Sequence, residues 1–327
     1  MKKFLIRILA FFSPMCILLL IYIILDPFMV IHSYNDYFAE AKKRFGNNAS
    51  VGINTNVLAT MALLKNTTRP NSYIFGNSRA SFYRVSDWKS FLPSDAVCFH
   101  FDGSNEPLWA VQKKVDFLDK MDINIDNALL IVDIYLLEGD KPNNGHMFAV
   151  PPLIVNNDNI VNFHKSFFYA FCDPVFLYAY FDLLYTKTYK PYMRTRGFNM
   201  DRIIYDVQTN ERTRDLLTDI NAQFYERGSE QTYYNYTVVK DNQASMLKKI
   251  RAVFDKHNTS YKIIINPLYD QKKLDEQDLN KLRDIFGEKN VYDFSGINDF
   301  TNDFHNYYET SHYRPHVARE ILTQIYR

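Results

Sequence analysis

Cysteine is scarce in this chain: three residues in 327, at Cys16, Cys98 and Cys172. None falls in a CxxC pair or in a zinc-like spacing, so a cysteine-ligated metal centre is excluded. Cys98 lies in a predicted core strand, where it reads as a small buried hydrophobe rather than a disulfide partner. Net charge is nearly absent too. At +1, with 38 basic and 37 acidic residues, the chain does not suit nucleic acid or another polyanion as its main partner. There is no internal repeat, no low-complexity tract, no G-x-S-x-G elbow and no HExxH helix. Only one long apolar run occurs.

That run is at the N-terminus. Lys2, Lys3 and Arg7 precede residues 8–25, a stretch without charge just long enough to span a hydrocarbon core. No small-x-small cleavage site follows it. Residues 1–26 therefore read as an uncleaved single-pass membrane anchor. The basic flank puts the N-terminus in the cytoplasm and the main domain outside it. The remainder is an ordinary globular chain, 47% hydrophobic and 23% charged, long enough for one large domain or two small ones.

Residues 27–70 read as a membrane-proximal segment, with helices expected at 36–44 and 51–64 and a turn at 46–48. From 71 onward strands and helices alternate. Strands are predicted at 72–75, 96–101, 128–134, 261–266 and 291–294. Helices are predicted at 107–121, 241–257, 275–286 and 315–326. This alternation specifies an α/β domain over 71–327, with a parallel sheet and right-handed crossovers. An insertion at about 138–236 interrupts it. Its aromatic block reads as the core of a helical cap, with a sugar-binding cleft or a surface resting on a membrane interface as alternatives. Four Asn-x-Ser/Thr sequons, at Asn48, Asn66, Asn235 and Asn258, carry no argument.

In open α/β sheets, reactive groups collect beyond the carboxyl ends of the strands. Tyr73-Ile74-Phe75-Gly76-Asn77-Ser78-Arg79 places a serine on a tight turn after the first strand. Tyr308-Glu309-Thr310-Ser311-His312-Tyr313-Arg314-Pro315 places an acid three residues before a histidine, after the last strand. Ser78, His312 and Glu309 thus supply a nucleophile, a base and an acid to orient it. The plainer readings are that Ser78 caps a helix and that Ser311 does the same for the helix begun at Pro315. On a continuous helix, His305, Glu309 and His312 would instead share a face and bind a metal. His100 reads as packed, and His164, His257 and His316 have no partner pattern. Arg79, Tyr135, Arg194 and Arg196 are candidates for substrate contact, with Arg202 following them.

Gly76-Asn77-Ser78-Arg79, then Gly103, then the C-terminal acid-x-x-His resemble the SGNH/GDSL hydrolase superfamily. Ser311-His312-Tyr313-Arg314-Pro315 is most similar to its membrane-anchored branch in bacterial envelopes, related to alginate O-acetylation proteins and the D-alanyl transfer protein of teichoic-acid modification. The resemblance covers roughly 72–135 and 260–327. It implies a flavodoxin-like three-layer α/β/α sandwich and ester hydrolysis or acyl transfer through a seryl ester, without cofactor or metal. It makes Ser78 the nucleophile, His312 the base, Glu309 the acid and Gly103 an oxyanion-hole donor. By analogy the substrate is an acylated envelope polysaccharide, and a membrane-bound O-acyltransferase is a possible partner. Two positions depart from the family's pattern. The acid is Glu where Asp is usual, and the third strand ends Val132-Asp133-Ile134-Tyr135 without the usual Asn donor. Asn105 is the candidate replacement. The alternatives are an SGNH-fold scaffold or glycan-binding protein with little turnover, and a lipid-directed esterase.

Overall fold

The computed structural model describes residues 2–46, 50–156, 160–199, 203–214 and 224–327. Asn47 and Asn48 of the expected turn, and Arg202, lie outside the described residues. In chain order the principal helices begin with α1 (Lys2–Leu25), α2 (Tyr37–Phe45), α3 (Thr55–Lys65) and α4 (Leu108–Lys120). They continue with α5 (Ile160–Phe171), α6 (Pro174–Thr186), α7 (Asp241–Lys256), α8 (Glu276–Phe286) and α9 (Pro315–Ile325).

Five short apolar runs make one parallel sheet: β1 (Ser72–Gly76), β2 (Cys98–His100), β3 (Asn127–Val132), β4 (Ser260–Ile265) and β5 (Val291–Asp293). Their spatial order is 2-1-3-4-5. Every residue of β1 and β3 is buried, because helices cover both faces. The two-residue period of a strand divides the side chains between two cores. Tyr73, Phe75, Leu130 and Ile263 pack against α4, α7 and α8. Ile74, Leu129, Ile131 and Ile264 pack on the other side, against α9 and Trp88. The result is a central sheet flanked by helices, compatible with a three-layer α/β fold.

Several element ends differ from the sequence expectation. β3 stops at Val132, because Asp133 caps a short helix, Ile134–Glu138, and accepts the Leu136 N–H at 3.0 Å. The helix expected at 51–64 starts at Thr55, where Asn54 accepts the Val57 N–H at 2.9 Å. Ser50–Val51 pairs instead with Phe198–Asn199 of the insertion. The insertion is not wholly helical, since Ile203–Asp206 and Glu211–Arg214 form an antiparallel hairpin.

A third core joins segments far apart in sequence. Phe163, Phe167, Phe168, Phe171, Phe176 and Tyr180 of the insertion pack with Tyr22, Phe28 and Phe45. The aromatic block therefore folds against 27–70 and the end of α1. Asp26, fully buried, fixes that junction by accepting the N–H groups of Val30 at 2.8 Å, Ile31 at 3.0 Å and His32 at 2.8 Å. Among the described residues no single helix is long and apolar enough to cross a membrane. The apolar part of α1 so described is Phe11–Leu25, and α5 with α6 pass that test only as a pair bent by 74°.

Candidate functional site

β1 ends at Gly76, whose φ of +149° and close surroundings admit no side chain. A Cβ there would lie 2.6 Å from the Ile131 carbonyl oxygen and 3.0 Å from Ala80 Cβ. Gly76→Ala is expected to lower stability by about 2 kcal/mol or more, since overpacking and an unfavourable φ add. Urea unfolding of the full chain checks this, and an unchanged midpoint contradicts it. Beyond the glycine, Asn77 caps a short 3-10 helix, Ser78–Phe82, accepting the Arg79 N–H at 3.1 Å. Ser78 consequently sits beyond the carboxyl end of β1, beside the β1/β3 boundary where the strand order reverses.

The C-terminal segment reaches the same point. Tyr307–Glu309 and His312–Tyr313 form a small antiparallel pair, with an irregularity between Tyr307 and Glu309. This hairpin brings His312 Nε2 to 2.8 Å from Ser78 Oγ. His312 Nδ1 is hydrogen-bonded to Glu309 Oε1, and Glu309 Oε2 accepts the Ser311 N–H at 2.6 Å. Partial burial works against the Glu309 charge, but His312, the Ser311 N–H and Arg79 outweigh it and hold the carboxyl below its ordinary value. An ionised carboxylate can only accept, so Nδ1 donates to Glu309 and Nε2 is the ring nitrogen turned to Ser78. Ser78, His312 and Glu309 are thus in contact, in the order that base-assisted nucleophilic attack requires.

Arg79, a candidate for substrate contact, borders the cleft beside Ser78 and Tyr135, and its charge is already engaged. It is 9% exposed, with Nη1 2.9 Å from Asp133 Oδ2 and Nε donating to the Ser311 carbonyl at 2.8 Å. Asp133, 1% exposed, also accepts from Asn77 Nδ2 at 2.7 Å. One buried ion pair therefore ties the nucleophile turn, the end of β3 and the histidine loop together. The acid that anchors Arg79 thus stands directly after β3. Tyr313 adds a second tie, its hydroxyl donating to Asn266 Oδ1 at 2.8 Å just beyond β4.

The expectation for Gly103 is corrected. Its N–H donates to the Gly76 carbonyl at 3.0 Å and is not free for an oxyanion. Glycine is required there for space, since a Cβ would stand 2.6 Å from Asn56 Oδ1 and 2.9 Å from the Glu106 carboxyl. Among the described residues two donors stand beside Ser78. Its own N–H, at the first position of the short helix, has no intrahelical carbonyl to bond. The exposed Asn105 lines the cleft with Ser78 and His312, and its side-chain amide makes no hydrogen bond among the described residues.

The cleft has two lobes that meet at Ser78, Asn105 and His312. The first, about 390 Å³, is lined by Tyr135, Tyr225 and Asp270. The second, about 490 Å³, lies between the sheet edge and the insertion and is lined by Arg84, Arg194, Phe198 and Tyr308. Arg84 and Arg212 in that lobe are already paired, with Glu211 and Asp102. Tyr135 and Arg194 thus lie in the cleft, as candidates for substrate contact should. Arg196 does not: it sits outside both lobes, half-exposed and 3.8 Å from Asp173.

The shared metal-binding face does not form. Residues 304–306 are a 3-10 turn followed by the strand Tyr307–Glu309, and His305 Nδ1 bonds Asp303 Oδ1 at 2.8 Å. His100 is buried outside the cleft, 3.7 Å from Asp102, and burial lowers its pKa despite that acid. Cys98 is buried, and none of the three cysteines is in a disulfide. Compared with known proteins, the chain matches no protein-family model and no curated sequence.

Proposed function

We propose that this chain is a membrane-anchored, extracytoplasmic serine esterase or O-acyltransferase. It acts on acyl groups, chiefly acetyl, of an envelope polysaccharide. The observation that carries this reading is the chain of contacts Ser78–His312–Glu309 at the rim of a cleft. The 2-1-3-4-5 strand order supports the finer reading of the fold as flavodoxin-like and SGNH-like. The anchor is α1. Its uncharged sequence, 8–25, and the exposed side chains of Phe11, Phe12, Leu20 and Ile24 support that role.

In this reading Ser78 Oγ attacks the ester carbonyl while His312 Nε2 takes the hydroxyl proton. Negative charge builds on the carbonyl oxygen and is met by the Ser78 N–H and the Asn105 amide. The C–O bond to the sugar then breaks, and His312 returns the proton to the departing sugar oxygen. An acyl-Ser78 ester remains. Water or a second hydroxyl, deprotonated by His312, attacks it and regenerates the serine. Each step uses side chains already in place, and none calls for a metal or cofactor. A membrane-bound O-acyltransferase as partner rests on analogy alone.

Acetate release from an O-acetylated glycan by the full chain in detergent tests this reading. 4-Nitrophenyl acetate serves as a small comparison substrate. Asn105→Ala is expected to lower turnover of both by about 10²- to 10³-fold, the usual effect of one lost oxyanion donor. A variant as fast as the parent would remove Asn105 from the site. The commitment of the Gly103 N–H favours a second reading, a glycan-binding scaffold. That reading gains if the parent binds the glycan but releases no acetate.

A further inference from the structure

The insertion presents an outer face that the cleft does not use. On α6, Val175, Tyr178, Phe181 and Tyr185 recur every three to four residues and are exposed, Tyr185 by 90%. On α5, Ile160, Val161 and Tyr169 are exposed, and Lys165 lies 5.4 Å from the Tyr169 ring. The inner faces of the same helices hold Phe163, Phe167, Phe171, Phe176 and Tyr180 in the third core. These helices are therefore apolar on two sides; among the described residues the inner side is buried, while the outer side stays largely exposed, with Tyr192 beside Tyr178 at 5.9 Å. Such a pair departs from the single apolar stripe of an ordinary surface helix.

Three observations identify what covers the outer side. First, α1 ends against the same helices, on their inner side: Tyr22 meets the rings of Phe168 and Phe171, with centroids 5.5 Å away in each case. The residues preceding that contact, among them Ile17, Leu19 and Leu20, are exposed and apolar, so uncovered apolar side chains occur on α1 as well as on the helices it packs against. Second, the exposed rings are mostly tyrosines, which combine an apolar body with a polar tip and are favoured at the level of lipid headgroups. Third, a cation nearby suits anionic headgroups. Lys165 carries an exposed ammonium-bearing side chain on α5, and long basic side chains reach outward from such a position, whereas the Lys187 ammonium just after α6 donates to the Arg44 carbonyl.

We infer that α5 and α6 lie in the headgroup layer of the membrane beside the point where α1 leaves it, forming a second, interfacial contact with lipid. This rests on the reading of α1 as an anchor. Its consequence is positional. Arg194 and Phe198, which line the larger lobe of the cleft, follow α6 directly in sequence, so the lipid contact holds that lobe close to the bilayer surface. Substrates still attached to the membrane then reach Ser78 without leaving it.

Tryptophan reporters in the full chain, reconstituted into phosphatidylcholine–phosphatidylglycerol bilayers with brominated acyl chains, test this. Leu20→Trp reports on α1, and Tyr178→Trp and Tyr185→Trp on the outer face. Lys289→Trp, exposed just before β5 at the opposite edge of the sheet, is the control. The parent chain, with Trp88 and Trp109, sets the background. The expected result is quenching of the two α6 reporters severalfold stronger than that of the control, with Leu20→Trp quenched as well. Quenching of Leu20→Trp with α6 reporters no different from Lys289→Trp overturns the inference and leaves the anchor standing. Absence of quenching at all positions overturns both. A blue-shifted but unquenched α6 reporter also overturns it, since another protein surface would then cover this face. The two α6 positions are separate variants, so misfolding of one does not remove the test.

Discussion

Ser78→Ala lowers ester cleavage by about 10⁴-fold or more, because removal of the nucleophile leaves only binding and the oxyanion donors. Stability changes little. The Oγ makes one hydrogen bond, to His312, at a part-buried position, so its loss costs about 1 kcal/mol and shifts the thermal midpoint by only a few degrees. Rate and melting temperature of the same purified variant check this together. A large fall in rate with an intact fold supports a chemical role for Ser78. Full activity in the variant would put the reaction elsewhere.

Asp133→Ala has the largest expected effect on stability. The carboxylate is fully buried and takes bonds from Arg79, Asn77 and the Leu136 N–H. Its removal leaves a guanidinium that is largely shielded from water without its counter-charge. Breaking a buried pair in this way costs about 3–5 kcal/mol, whereas an exposed pair is worth about 0–1 kcal/mol. Removing both charges, as Arg79→Met with Asp133→Leu, is expected to recover much of that loss while leaving the reaction impaired. The Ser78 turn and the Ser311 carbonyl would then have lost their common tie. Denaturant unfolding of the two single variants and the double variant reads the coupling directly. A loss below about 1 kcal/mol for Asp133→Ala would mean that the pair behaves as a surface contact.

The parts of this site that were legible in the sequence are local. Gly76 and Ser78 stand at the end of an apolar run, and Glu309 and His312 are three residues apart, so a short window contains each feature. The Arg79–Asp133 pair was not legible, because it joins residues that only the adjacency of β1 and β3 brings together. Gly103 failed for a similar reason. Whether its N–H faces the cleft depends on how the chain continues past β2, and there the Gly76 carbonyl takes it. Arg194 and Arg196 sit on one short turn, Pro191–Arg196, and their different surroundings follow from tertiary packing rather than spacing. The aromatic spacing of the insertion indicated a helical core. That 27–70 supplies the other half of that core carries no sequence signal. Strand ends misread by a residue or two, as at β3, reflect a polar cap inside an apolar run.

Everything proposed for this cleft requires Ser78 to be an activated nucleophile. The direct measurement is treatment of the full chain in detergent with a fluorophosphonate probe, followed by mapping of the adduct by mass spectrometry. The expected result is a single adduct on Ser78 that is lost in Ser78→Ala and strongly reduced in His312→Ala. A well-folded chain that takes up no probe, or labels at another residue, would contradict it.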